Sequence, residues 1–502
     1  MSTATQRASE SPPRVVRETR GTCPVCIEMV DARVIVDEGK VFLEKNCPEH
    51  GIKRAFLSNH PDYYVELMEA FFELMPGSYP QRDYILRLTA RCNMKCPICL
   101  ASADDYQERD MTLEEVREFI DQPRRLKLDL MGAEPTLWPD LETVIRESKE
   151  KGHINALHSN GIRLLDEDYL KRLIDAGMDE VHLQFDGFDD THDDVLRGQP
   201  MAAKRRQILE VLEKHDVATD LVVVVMRDLN EDQMEPVLDY AAEHGFVKEV
   251  FYLGCRILGR AAEDFADQSV APDETIDDLE RATGGKVNRD DVRVFNKLYF
   301  AALATMKVRK CFYIHHYMVL RSDDGYRPIS DYIDLPFLEP HLDRFRKLLP
   351  RSRALAIPYL GLAGSMAVAR KNGYVLFFEG LRLAGMLKLG FDLSQMKPRT
   401  ILLGFITACD PWIHDEQVSL QCGKGEVATD IGVHESGADA NVNREKFHLQ
   451  IQAREAAERA AKQAKKAAQG ARKVAGRARR AVSAARKRRT PPGGKRSKPA
   501  AR

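Results

Sequence analysis

The chain has 502 residues, 44% hydrophobic and only 7% aromatic, which is too long for one ordinary domain and too apolar for a collagen-like or fully disordered polymer. Its net charge of -2 hides a division: residues 445–502 hold 19 basic and 3 acidic side chains, so a tail of +16 follows a body of -18. Any polyanion is therefore expected to meet the tail. No run reaches the roughly 18–20 apolar residues that cross a bilayer, and the polar start with Ser11, Pro12 and Pro13 is unlike a secretory signal, so a cytoplasmic protein is expected.

In chain order, residues 1–20 read as a disordered leader. Residues 21–60 form a small cysteine-rich unit: Cys23-Pro24-Val25-Cys26, a hairpin-like stretch at 32–44 turning at Glu38-Gly39, then Cys47-Pro48-Glu49-His50-Gly51. Two knuckles flanking a hairpin bring four ligands to tetrahedral spacing, so Cys23, Cys26, Cys47 and His50 are predicted to hold one zinc or iron ion, as in rubredoxin-like and zinc-ribbon units. His50 stands where an all-cysteine site has a fourth thiolate, which favours a structural role over a redox one.

Residues 80–260 alternate strand-like segments (84–89, 126–131, 154–159, 180–185, 219–226 and 247–253) with helical patterns at 113–121, 166–176, 204–215 and 231–245. The run LVVVVM at 221–226 is apolar on both faces, as a buried parallel strand must be. Repeated βα units imply an α/β fold with a parallel sheet, doubly wound or barrel-like, whose chemistry collects at the C-terminal strand ends. Residues 261–444 are less regular and read as a C-terminal domain and substrate region. The basic Ala/Lys/Arg-rich tail, 445–502, is helix-prone as far as Arg489, with Gly470 and Gly476 as weak points.

Six of the ten cysteines cluster, which in a reducing compartment points to metal ligation. Cys92, Cys96 and Cys99 follow the first strand of the alternating region with C-x3-C-x2-C spacing. Three thiolates in so short a loop hold one face of a 4Fe-4S cube and leave one iron open. The second strand ends in Gly132-Ala133-Glu134-Pro135, where a carboxylate on a tight turn accepts from an ammonium group and the glycine permits close approach of a ligand. Asn160 closes the third strand and Gln184 and Asp186 the fourth. Their amide and carboxylate groups stand at the strand-end face where a polar ligand is expected.

These segments together resemble the radical S-adenosylmethionine (SAM) superfamily, with Ala133 in place of a usual second glycine. CNMKCPICLASA at 92–103, HLQFDG at 182–187, NGIRL at 160–164 and the N-terminal Cys-x2-Cys unit are similar to the tetraether lipid synthase branch, which also holds proteins once assigned as pterin methylases. The resemblance implies a partial (β/α) barrel, SAM chelated by the open iron with Glu134 on its amino group, and reductive cleavage to a 5'-deoxyadenosyl radical that abstracts hydrogen from a C-H bond. It implies a one-electron reductant such as a ferredoxin or flavodoxin, and C-C bond formation on membrane lipid tails, with radical methylation of a pterin or other small heterocycle as the alternative.

Tetraether members carry further cysteine-rich clusters toward the C-terminus. Here Cys255, Cys311, Cys409 and Cys422 suffice for one auxiliary 4Fe-4S cluster at most, and buried structural cysteine is the competing reading. The apolar, glycine-rich stretch 354–391 reads as core or as a channel or membrane-facing surface for a lipid chain. The tail suits peripheral contact with an anionic membrane by charge. The reading from a different class is a non-catalytic iron-sulfur protein bound to nucleic acid through that tail.

Overall fold

The computed structural model describes residues 12–76, 79–106, 108–261, 265, 268–376, 399–429 and 431–488, with side chains of the final helix as far as residue 464. The chain divides into two units, Met1–Glu445 and Lys446–Arg502.

The first unit opens with an antiparallel sheet in the order β1 (Arg14–Thr22), β2 (Met29–Asp37), β3 (Lys40–Cys47) and β4 (Gly51–Ser58). The leader expected at 1–20 therefore stops short, because Arg14–Thr22 pairs along β2 from Arg14 opposite Val36 to Thr22 opposite Met29. Its polar, half-exposed RVVRETRGT is an edge strand with little apolar alternation to mark it. The β2–β3 turn falls at Glu38-Gly39 as expected, with φ of 49° and 74°, the left-handed pair that a two-residue hairpin requires.

After α1 (Pro61–Leu74) the alternating region runs β5 (Asp83–Arg87), α2 (Leu113–Ile120), β6 (Lys127–Met131), α3 (Leu141–Glu150), β7 (Ile154–Ser159), α4 (Glu167–Ala176), β8 (Glu180–Gln184), α5 (Asp193–Leu196), α6 (Ala202–Lys214), β9 (Thr219–Val225), α7 (Met234–Glu243) and β10 (Val247–Gly254). Local signals set the helix ends. Thr112 accepts from the Glu115 N-H at 3.2 Å while Glu115 accepts from the Thr112 N-H at 2.8 Å, a capping box that starts α2. Strands β5 to β10 pair in parallel in sequence order.

Residues beyond 260 do not form the separate domain expected. After α8 (Pro272–Ala282) and α9 (Arg289–Met306), β11 (Ile314–Ser322) and β12 (Gly325–Pro328) form one antiparallel edge; α10 (Leu335–Leu348) and α11 (Arg353–Arg370) follow. Then β13 (Thr400–Thr407) inserts parallel beside β10, and β14 (Gly425–Ala428) pairs parallel with β5, edged by β15 (Gly432–His434). Among the described residues an eleven-stranded sheet results, in the order β12-β11-β13-β10-β9-β8-β7-β6-β5-β14-β15. So long a connection between β10 and its partner β13 leaves no trace in local periodicity.

The sheet curls into the partial barrel that was expected: Glu249 of β10 interacts electrostatically with Lys127 of β6 and Glu180 of β8. Outward positions such as Leu128, Leu130, Val181, Val223 and Val225 are buried with Val144, Leu170, Leu173 and Leu212 of the helices, leaving the inward positions to line a lumen.

The antiparallel sheet is pinned to the loop after β13. Lys45, 1% exposed, donates to the carbonyls of Thr22 (2.8 Å), Pro411 (2.5 Å) and Trp412 (2.7 Å). Thr22 pairs with His414 Nδ1 at 2.9 Å, and Arg17 and Thr19 hold Asp415.

On α11, Ala356, Ala363 and Ala367 are buried while Leu355, Ile357, Leu362 and Met366 are exposed, so the first part of the apolar stretch is partly surface; its remainder, 377–391, lies outside the described residues. The terminal helix (Gly437–Arg488) begins in the last residues of the first unit, and its part in the second unit continues through Gly470 and Gly476. No helix among the described residues is long and apolar enough to cross a membrane.

Candidate active site and metal centres

The loop leaving β5 carries Cys92, Cys96 and Cys99, packed against Met94, Met201 and Ile162. Arg260 clasps it, donating to the Cys96 carbonyl at 3.3 Å, to the Ala103 carbonyl and to both Asp105 oxygens. Two backbone N-H groups point at sulfur, Met94 at Cys92 Sγ (3.4 Å) and Ala103 at Cys99 Sγ (3.5 Å). Burial pushes the Cys92 thiol up to about 12, with Glu134 and the other two thiols adding to it, and burial raises Cys96 against the pull of Arg197. Thiolates that repel one another in a dry pocket need cations between them, so the donor set fits an iron-sulfur cube held by three protein ligands.

Glu134, 1% exposed, sits one strand away. Its Oε1 accepts from Thr136 Oγ1 (2.6 Å) and Ser159 Oγ (2.8 Å), and its Oε2 from the Asn160 N-H (2.9 Å). Burial raises this carboxyl and these bonds oppose the rise. An aimed carboxylate with capacity left on Oε2 suits an ammonium group. Asn160 also donates to Asn93 Oδ1 at 2.7 Å, tying this turn to the cysteine loop. The predicted cysteine loop and carboxylate turn thus meet in space, as they should for cluster-bound SAM.

Three assignments change. Gly132 gives close approach to the chain itself and not to a ligand, since a Cβ there would lie 2.5 Å from the Thr89 carbonyl oxygen. Asp186 has no oxygen to spare for SAM: it takes Nε and Nη2 of Arg197 at 2.6 Å each, Arg205 at 3.2 Å and Gln184 at 2.7 Å. It thereby positions Arg197, whose guanidinium reaches Cys96. Gln184 is likewise turned to Asp186. Nothing local in the sequence marked Arg197, which lies in a turn beyond β8.

Inside the barrel, inward residues of the strands form a polar wall. His158 stacks on His182 at 4.2 Å and 18°, and His182 on Phe251 at 6.1 Å and 12°. Lys127 pairs with Glu180 at 2.6 Å, Lys424 with Asp129, and His182 lies 3.2 Å from both Glu180 and Asp220. Burial drives His182 down to about 4, leaving a neutral imidazole.

The N-terminal site gathers as expected. Ligand atoms of Cys23, Cys26, Cys47 and His50 all lie within 4.8 Å of one another, with His50 Nδ1 3.5 Å from Cys47 Sγ and 3.8 Å from Cys23 Sγ. Burial opposes ionisation of Cys23 and Cys47, but it is outweighed and both thiols are held low, Cys23 by backbone N-H groups with the Cys26 and Cys47 side chains, and Cys47 by His50 and backbone N-H groups. This donor set closes a tetrahedron around one ion.

The four scattered cysteines split. Cys311 lies within electrostatic influence of both Cys409 and Cys422, whereas Cys255 packs in an apolar cluster with Ile98, Leu196, Met226 and Ala261.

Residues 86–241 match the radical SAM superfamily, and the chain carries a radical SAM domain. Residues 15–59 match the HMPTM N-terminal zinc ribbon domain, in keeping with the site of three cysteines and one histidine. The chain is 26% identical over 309 residues to the 7,8-dihydro-6-hydroxymethylpterin dimethyltransferase of Methanocaldococcus jannaschii, covering 55% of this chain and 60% of that one. It is 27% identical over 179 residues to the GTP 3',8-cyclase of Staphylococcus aureus, covering 32% and 51%. It thus spans 51% to 60% of the length of these relatives. Among solved structures, SuiB of Streptococcus suis bound to S-adenosylmethionine is 12% identical with a TM-score of 0.35, covering 50% of this chain and 68% of that one.

Proposed function

We propose that this protein is a radical SAM enzyme acting on a C-H bond of a small polar heterocycle of the pterin type, with radical methylation as the outcome. The observation that carries this reading is the charged inner wall, with Lys127, Asp129, Glu180, His182, Asp220 and Glu249 on β6, β8, β9 and β10. An acyl tail laid along it would strip water from charges without replacing their hydrogen bonds. A heterocycle with several donors and acceptors would supply them. Two relatives are named for substrates, a hydroxymethylpterin and GTP, that share a 2-amino-4-oxopyrimidine ring.

In this reading Cys92, Cys96 and Cys99 hold the cluster and Glu134 receives the SAM amino group. Such a cluster, once bound, supplies the electron that splits SAM and so generates the carbon radical that takes the substrate hydrogen. Arg197, held by Asp186, screens the Cys96 thiolate, and Asn160 keeps the cysteine loop in register with the Glu134 turn. A ferredoxin or flavodoxin is the fitting electron donor. An auxiliary cluster, if held, rests on Cys311, Cys409 and Cys422 without Cys255.

Lipid-tail coupling is the second reading, favoured by the exposed Leu355, Ile357, Leu362 and Met366 of α11 and by the basic tail, which suits an anionic membrane face. The deciding experiment incubates anaerobically reconstituted protein with SAM, dithionite and 7,8-dihydro-6-hydroxymethylpterin. Faster 5'-deoxyadenosine release with a methyl-bearing pterin product is the expected result. SAM cleavage that ignores the pterin, alongside loss of tail-coupled lipid in cells lacking the gene, would replace this reading with the lipid one. Salt-sensitive nucleic-acid binding with no SAM turnover would support the non-catalytic alternative.

A further inference from the structure

The charges of the inner wall do not balance. Lys424 serves Asp129 and lies 3.6 Å from Asp83, Lys127 serves Glu180 at 2.6 Å, and Asp220 lies 3.2 Å from the neutral His182, its own carboxyl pushed well up by burial and by Glu249. A further lysine among the described residues of the wall, Lys310, is pushed down to about 7 by burial and donates to His316 Nδ1 at 2.8 Å, not to an acid. Glu249 is left over: among the described residues its carboxylate has neither a hydrogen bond nor an ion pair, only the electrostatic influence of Lys127, Glu180, Lys310 and Lys424. It faces the lumen, because Val250 and Tyr252 on the other side of β10 are buried under the helices, where Tyr252 donates to the Met234 carbonyl at 2.8 Å. Burial pushes its carboxyl up to about 7, Glu180 adding and Lys127 opposing. Glu249 is half-buried and no protein group donates to its carboxylate, so the fold itself does not compensate for the water that the carboxylate loses.

Its position points to a ligand that does. In the sheet register Glu249 stands opposite Asp220, Asp220 opposite His182, and His182 opposite His158, which immediately precedes the Ser159 that donates to Glu134. The row therefore starts one residue from the SAM-binding turn. Two residues along the same strand, Phe251 continues the parallel ladder of His158 and His182, a flat face on which a ring stacks. Gly404 makes room for it, since a Cβ there would lie 2.3 Å from the Phe251 ring.

We propose that Glu249 is the specificity-determining residue of this site, its two oxygens accepting the ring N-H and the exocyclic amino N-H of a 2-amino-4-oxopyrimidine-containing substrate whose plane lies along the Phe251 ladder. This rests on the heterocycle reading above and goes beyond it by naming the group that reads the ring. Asp129 and Glu180 are already engaged by lysines, so neither competes for that edge.

The test compares pterin, which offers both donors, with lumazine, in which an oxygen replaces the amino group, each titrated into the reconstituted holoenzyme with SAM bound. Wild type is expected to prefer pterin by about 100-fold or more, as sites built to bond a donor reject analogues that lack it. Glu249→Gln keeps the volume but offers one acceptor, and should bring the ratio close to one while the iron content and the thermal unfolding midpoint of the holoenzyme stay those of wild type. Glu249→Asp, which retains the charge, should keep the preference with weaker binding. If pterin binds and Glu249→Gln leaves its preference over lumazine intact, the assignment of Glu249 is wrong and the heterocycle reading stands. If neither ring binds a holoenzyme that still cleaves SAM, the heterocycle reading fails and the assignment falls with it.

Discussion

Two cysteine sites stand in one chain and differ in kind. In the ribbon, four ligand atoms lie within 4.8 Å on a hairpin fixed by a left-handed turn, and two of the thiols are held low before any ion arrives. In the barrel loop, burial drives the Cys92 and Cys96 thiols up, and the nearby groups that steady the triad are Arg197 and backbone N-H groups. The first is a closed set that asks only for an ion. The second is open, and the missing ligand is the place for chemistry.

The comparison breaks most sharply at Cys96. Cys96→Ala should abolish 5'-deoxyadenosine formation and remove about four irons per chain, the content of one cube, while the ribbon keeps its ion; iron, zinc and nucleoside analyses on one preparation check all three. Retained cleavage would mean the triad is not the reaction centre. Cys47→Ala should do the reverse, releasing one ion and costing more than about 4 kcal/mol in chemical denaturation, with SAM cleavage still measurable at low temperature in the folded fraction. Equal loss of activity in both variants would show that the sites are not separable.

Smaller effects sharpen the open site. Glu134→Gln removes a charge but not the fold of the turn, and should weaken SAM binding by about 10- to 100-fold, or roughly 1.4 to 2.7 kcal/mol, in equilibrium dialysis. Arg197→Gln should leave SAM binding near wild type and lower the cluster's reduction potential, because a positive charge beside the Cys96 thiolate favours the more reduced, more negative state; an unchanged potential would restrict Arg197 to holding Asp186. The mildest expectation concerns pH. Glu249 must be ionised to accept two donors, so pterin affinity should rise as pH increases through about 7 for as long as the ring N-H keeps its proton, while Glu249→Gln should show no such rise.

What was legible in the sequence was local. The C-x3-C-x2-C loop, the Glu134 turn and the strands from β5 to β10 announce themselves through spacing and periodicity, and the hairpin turn through Glu38-Gly39. What escaped depends on register between distant strands. Glu249, Asp220, His182 and His158 form one row only because four strands align, and Lys424 reaches Asp129 only because β14 returns to β5. Gly132 and Asp186 were found for a sound reason, their strand-end position, but the carbonyl of Thr89 and the guanidinium of Arg197 claim them. Cys255 was grouped with three other thiols by residue type, which says nothing about which of them share a pocket.

The bonds from Lys45, Thr22 and Arg17 to residues 411–415 bear on how the molecule is made. A ribosome delivers the ribbon first and its mooring some 370 residues later. Until then the ammonium of Lys45 lacks two of its three carbonyl partners, and the strands that will flank β5 and β10 do not exist. The ribbon can take up its ion early, from local contacts alone, but the barrel cannot close until nearly the whole first unit has left the exit tunnel. Cluster loading therefore belongs to the end of synthesis and ribbon metallation to its beginning, an order that stalled chains of increasing length would display directly.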